Sequence, residues 1–172
     1  VTASPEQSAA LEVLAQLLGS GSNSYLYRAL VVDQSLAVSA NAGYQGTAVD
    51  PTQFMVAAAP KPGVDFPQVE KAIDEVIAKL KQDTVSTENL ERAKTQLVAQ
   101  AIYAQDSQAT LARWYGAALT VGLTVNDLRS WPDRVRAVTA EQVRDAARTW
   151  LKPNRSVTGY LIKDTTPQNT TA

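Results

Sequence analysis

The sequence contains no histidine and no cysteine. Catalytic zinc is normally held through imidazole or thiolate, so a zinc centre is not expected in this stretch of chain. A Ser-His-Asp relay is excluded for the same reason. Without cysteine there is no disulfide and no thiolate metal site, although that absence does not fix the redox compartment. Neither sign of charge is in excess. The formal net charge is −1, which gives no cationic surface for a phosphate backbone and argues against nucleic acid as a partner. No run of 18 apolar residues exists, so no membrane-spanning helix is expected. The first residues, Val1-Thr2-Ala3-Ser4, lack a basic and then apolar run, so no signal peptide is read in the residues in hand. No internal repeat is visible.

What is present suits one globular domain. The 172 residues are enough for a sizeable core, and 45% hydrophobic against 19% charged is an ordinary globular balance. Ser4-Pro5-Glu6-Gln7 reads as a capped helix start, followed by Leu11, Leu14, Leu17 and Leu18 at helical spacing. Gly19 is expected to end that helix through a positive φ. The turn Gly19–Ser24 has no preceding strand and no P-loop lysine, so it is not a phosphate cradle, and Ser24 is the expected cap of a helix Tyr25–Asp33. Two strands are expected at Leu36–Val49 and Gln53–Ala59, paired as an antiparallel hairpin around Asp50-Pro51. Asp65 is expected to cap a helix with an apolar stripe from Phe66 to Leu80, and Glu75 to pair with Lys79 on its wet face. One long helix is expected over Thr87–Val121, kinked at Asp106–Gln108, then a short helix disturbed at Pro132. Thr139 opens a boxed helix Ala140–Leu151. Ser156–Ile162 (SVTGYLI) reads as a last strand, and 164–172 as a polar, disordered tail. Helices and strands are segregated rather than alternating. The fold class is therefore α+β: residues 1–163 as a single domain, an antiparallel sheet with helices packed on one face.

Candidate chemistry is thin. Asp74/Glu75, Glu88/Glu91 and Glu141/Asp145 are close carboxylates, but the last pair interleaves with Arg144 and Arg148 as a solvated charged face does. Trp114, Tyr115, Trp131 and Trp150 fall at helix positions that suit a core. Read from the residues alone, the chain is an α+β domain without visible catalytic machinery.

One pattern carries further. A helix ends in a Gly-rich turn, Ser24-Tyr25-Leu26-Tyr27-Arg28-Ala29-Leu30 follows, then a polar run and Leu36-Ala37-Val38-Ser39. With Gly43 and Phe54, the helix Phe66–Asp83, the run Glu91-Arg92-Ala93-Lys94, Leu111–Leu123 (LARWYGAALTVGL) and Trp131–Thr139, this order resembles the second half-domain of pitrilysin/insulinase-type, or inverted-zincin, zinc metallopeptidases over nearly the whole chain. The resemblance implies a processing-peptidase-like half-domain without catalytic or metal-binding residues of its own. It implies an upstream half-domain whose H-x-x-E-H motif and distant Glu bind zinc, the first Glu acting as general base. The two halves would enclose a peptide substrate. Second halves of this family often carry L-R-x-x-x-x-L-x-Y, whose Arg and Tyr reach substrate near a partner polypeptide's zinc. Here that frame is Leu30–Val38, with Val31 at the Arg position and Val38 at the Tyr position. The paired loss implies that this half belongs to the zinc-bearing member of a two-subunit bacterial enzyme, and that a second subunit brings the Arg/Tyr pair. Gly19, Gly21, Ser22 and Asn23 match a place where non-catalytic subunits carry a substrate-handling loop, and are the candidate peptide contacts. The alternatives are a non-catalytic scaffold or binding subunit of a larger assembly, and an independent peptide-binding domain. The composition suits a bacterial envelope protein, and the resemblance implies a periplasmic or membrane-associated one, with the cytoplasm left open.

Overall fold

The computed structural model describes residues 4–162, and the expected tail 164–172 lies outside them. Six α-helices, one π-helical turn and one β-hairpin follow in order among these residues: α1 Pro5–Gly19, the π-helical turn Tyr27–Asp33, β1 Ala37–Tyr44, β2 Phe54–Pro60, α2 Phe66–Gln82, α3 Thr87–Ala104, α4 Gln108–Thr120, α5 Val125–Ala137 and α6 Ala140–Trp150, with a short 3-10 turn at Pro153–Arg155. The class is α+β.

The molecule is built around α1. Leu11, Leu14, Leu18 and Val13 are fully buried, and Ala9, Ala10 and Leu17 nearly so. A helix that is apolar over so much of its circumference needs neighbours on several sides, and α1 packs on β1, α3, α5 and α6. Its start is as the sequence indicates. Ser4 accepts from the backbone of Gln7, whose side chain accepts from the backbone of Ser4. Thr139 and Gln142 make the same reciprocal pair ahead of α6, and Thr124 and Asp127 ahead of α5. Val143, Ala146 and Ala147 turn α6 toward α1 and α2, while Arg148 donates to the carbonyl of Lys81 at the end of α2 and satisfies an orphan acceptor there.

The hairpin is a two-stranded antiparallel sheet with Ala40 opposite Ala58, Ala42 opposite Val56 and Tyr44 opposite Phe54. These pairs form the half-buried face toward α1. Asn41, Met55, Ala57 and Ala59 belong to the other face, which is exposed. Helices thus pack on one face of the sheet. A bulge at Val38 explains why Ala37 and Ala40 are both buried, three apart rather than two.

Several expectations are corrected. The strands are shorter than Leu36–Val49 and shifted by one from Gln53–Ala59, because Asp50-Pro51 lies in an open loop rather than a tight turn. Thr87–Val121 is two helices: Ser107 has an extended backbone and its hydroxyl accepts from the backbone of Thr110, so the chain restarts there instead of kinking. Pro132 sits inside α5, which runs through it; Ser130 Oγ and Arg134 Nη2 donate to the carbonyls of Asn126 and Asp127 in the turn before. Asp65 precedes α2 without a side-chain capping bond. Glu75 meets Lys71 at 4.0 Å, and no pair with Lys79 forms. Ser156–Ile162 forms no strand.

Candidate functional site

The Gly-rich turn joins α1 to the π-helical turn. Gly19 is the last residue of α1 and its φ is not positive; that role falls to Gly21, at φ 78°. What Gly19 supplies is the lack of a side chain. A Cβ there would stand 1.8 Å from the backbone nitrogen of Ala42, so the end of α1 lies directly on β1. Gly21, Ser22 and Asn23 are exposed, whereas Ser24 is buried and its hydroxyl accepts from the backbone of Tyr27. Beside the turn is a polar crevice of about 20 Å³, room for one water molecule. Gln16, Ser20, Asn23, Asn89, Arg92 and Gln96 are among its walls. Gln16 donates to Gln96 at 3.0 Å, Asn89 to Tyr25 at 3.1 Å, and Arg92 to Asn89 at 2.7 Å. Of the candidate peptide contacts, then, three face solvent and Gly19 serves packing.

The segment that follows is a π-helical turn rather than the ordinary helix expected over Tyr25–Asp33. Gln34 N donates to Ala29 O, one residue wider than in an α-helix, and Leu36 N donates to Leu30 O at 2.8 Å. The last bond closes the frame: Leu30 and Leu36, both buried, are brought together, with Ser35 at φ 53° taking the tight corner. The consecutive β-branched pair Val31-Val32 before Asp33 is the one local hint that a regular helix is disfavoured. Val31 is half-buried against the core, and Val38 lies on the β1 bulge, 55% exposed. Neither side chain offers a hydrogen-bond donor or a charge.

A second constellation escaped the sequence reading. Glu12, on α1, accepts from Trp131 Nε1 at 2.5 Å, and Trp131 stands edge-on to Trp114 of α4 at 6.3 Å between ring centroids. Gly46 of the hairpin loop approaches the same carboxylate: a Cβ on it would be 2.8 Å from Glu12 Oε1. Burial raises the Glu12 carboxyl above its ordinary range, and the Trp131 bond and the charge of Arg134 offset that only in part. A lone Glu among alanines and leucines gave no sign of this in the sequence. The group ties the hairpin loop, α1 and α5 together.

A zinc centre does not fit this chain. It has neither imidazole nor thiolate to offer, and among the described residues no three Asp or Glu side chains gather to replace them.

The family model described as the peptidase M16 inactive domain matches residues 1–97. This chain belongs to that family. No curated protein sequence matches the chain. Among solved structures, it is similar to the inactive peptidase domain of a candidate zinc protease from Bordetella parapertussis, at 23% identity and a TM-score of 0.83, over 94% of this chain and 87% of that one. It is similar also to a candidate zinc protease from Bordetella pertussis Tohama I, at 24% identity and a TM-score of 0.77, over 88% and 82%. A protease from Helicobacter pylori matches at 23% identity and a TM-score of 0.79, over 86% of this chain. This chain covers 35% of the length of the Helicobacter pylori protein. At these identities the likeness shows the fold. Membership of the M16 inactive-domain family therefore accounts for the architecture of this chain.

Proposed function

We propose that this M16 inactive domain is the non-catalytic half of a zinc metallopeptidase, and that it encloses and helps bind the peptide substrate. An upstream half-domain with H-x-x-E-H supplies the zinc and the general base. A second subunit carrying the Arg/Tyr pair completes the site, and the assembly works in the periplasm or at the membrane of a bacterial envelope. The observation that carries this reading is the frame Leu30–Val38. Its backbone closes from Leu36 N to Leu30 O and its two leucines are buried, while valine stands where the resemblance implies Arg and Tyr. The exposed turn Gly21-Ser22-Asn23 is the peptide-facing edge. The test is to purify the whole native protein, determine its zinc content and assay hydrolysis of unstructured peptides. Stoichiometric zinc, with hydrolysis that requires the Arg/Tyr-bearing subunit, supports the reading. A degenerate upstream motif and no hydrolysis would leave the scaffold reading, which the loss of Arg and Tyr also favours.

A further inference from the structure

The crevice beside the Gly-rich turn holds a cation without an anion. Arg92 lies in the second turn of α3 and is half-buried, and its side chain makes one bond among the described residues, from Nη2 to Asn89 Oδ1 at 2.7 Å. A guanidinium has five N–H groups, so most of its donors have no protein partner. Glu88 stands four residues earlier on the same helix, a spacing at which carboxylate and arginine ordinarily meet. Yet among the described residues no ion pair joins Arg92 to Glu88 or to any other carboxylate, whereas Lys94, two residues on, is held by Glu91 at 2.9 Å. The other walls are polar and uncharged. Of the three buried polar residues among those described, Gln16 and Ser24 both line this crevice. Ser20 and Asn23 bring a hydroxyl and an amide to it from the turn, and neither side chain bonds to another described residue. The space of about 20 Å³ that admits one water molecule also admits one carboxylate oxygen.

We propose that this crevice is a carboxylate subsite, in which Arg92, with the Asn23 amide and the Ser20 hydroxyl, receives an acidic group of a bound peptide. That group is an Asp or Glu side chain or the free chain end. This deepens the reading above and rests on it for the peptide, whose backbone would run along the exposed turn Gly21-Ser22-Asn23. A guanidinium favours a carboxylate through paired N–H···O bonds, and partial burial spares such a pair much of the screening that weakens exposed ones. A basic group of the peptide would meet like charge here, and a neutral one would leave the guanidinium unpaired. The site is a specificity element, and no covalent bond is made or broken at it.

The experiment measures peptide binding to the whole native protein, with a chelator present so that nothing is cleaved. The probes are four labelled, unstructured peptides, bearing one Glu or one Gln in a neutral sequence, each with a free or an amidated C-terminus. Carboxylate-bearing peptides should bind about tenfold more tightly than the amidated Gln peptide at low salt. A preference kept by the amidated Glu peptide assigns the side chain, and one confined to free termini assigns the chain end. Arg92→Gln should abolish the preference in either case, and Arg92→Lys, which keeps the charge without the fork, should restore part of it. Hydrogen–deuterium exchange on the unmutated protein gives a check that no folding defect can confuse: the preferred peptide, and not the neutral one, should slow exchange across Ser20–Tyr25. Equal binding of all four peptides overturns the proposal. So does a preference that survives Arg92→Gln, or one that leaves exchange of the turn unchanged. Zinc content and hydrolysis of the neutral peptide, measured without chelator, separate the two readings. Cleavage with no carboxylate preference refutes the subsite alone, and a preference that depends on Arg92 in a zinc-free, inactive protein refutes the peptidase reading alone.

Discussion

Replacing Gly19 by alanine sets two effects of opposite sign against each other. Inside a helix, alanine is favoured over glycine by about 0.8–1.0 kcal/mol, because the unfolded chain has less freedom to lose. By that measure alone Gly19→Ala stabilises. Packing opposes it. The new Cβ would lie 1.8 Å from Ala42 N, 2.4 Å from the Asn41 carbonyl carbon and 2.6 Å from Ala42 Cβ. Carbon atoms in contact sit roughly 3.5–4.0 Å apart, so the end of α1 has to retreat by more than an ångström. The atoms it meets are mostly backbone, on a strand tied to β2 by its ladder, and cannot swing aside. Overpacking of this kind costs about 1–3 kcal/mol, and rigid neighbours place it at the upper end. The net expectation is a loss of about 2 kcal/mol.

For a chain of this length each kcal/mol moves Tm by roughly 2–4 °C, so the variant should melt about 4–8 °C lower. Urea unfolding followed by far-UV circular dichroism measures both sign and size. Gly116→Ala is the matched control. Gly116 lies within α4, a Cβ there meets nothing within 4 Å, and its φ is not positive. Only the propensity effect applies, and the variant should gain about 0.5–1 kcal/mol. If Gly19→Ala is as stable as the parent, or more stable, the close approach of α1 to β1 is not what selects glycine there, and the reasoning fails.

Glu12→Gln should change the pH dependence of stability. The folded carboxyl is raised by burial, so the folded state holds a proton where the unfolded state has released it, and the stabilisation present below the unfolded pKa is lost as pH rises through the folded one. Gln keeps an acceptor for Trp131 and removes the titration, so its urea midpoint should improve relative to Glu from pH 4 to pH 7; a constant difference over that range would refute this. Trp131→Phe deprives the Glu12 carboxylate of its indole donor and should cost about 1–3 kcal/mol in urea unfolding at neutral pH, an expectation undone by a change within a few tenths. In the whole complex, Val31→Ala with Val38→Ala should leave kcat within about twofold, since neither position holds a charge or a donor; a tenfold loss, or about 1.4 kcal/mol of barrier, in a normally folded variant would place these positions in the chemical step.

What could be read in the sequence divides along a physical line. Reciprocal caps at Ser4 and Thr139 involve residues three apart, and the stripe from Leu11 to Leu18 repeats within one helix, so neighbours in sequence suffice to specify them. The π-helical turn depends on Leu36 N reaching Leu30 O across a corner at Ser35, and the Glu12–Trp131 bond spans two helices far apart in the chain. The bond leaves no local mark, and the turn leaves only the β-branched pair Val31-Val32. Gly19 lies between these cases: its place at the end of α1 was legible, but its reason is a strand more than twenty residues further on.

Ser156–Ile162 shows the same limit most sharply. Val157, Thr158, Tyr160, Leu161 and Ile162 all favour extended backbone, and Thr158 and Tyr160 hold to α2 on alternate positions as a strand's side chains would. Yet no strand forms there among the described residues. A strand is a property of a pair of backbones, because its N–H and C=O groups are satisfied only across a ladder. Composition can announce one member of that pair and says nothing of the other.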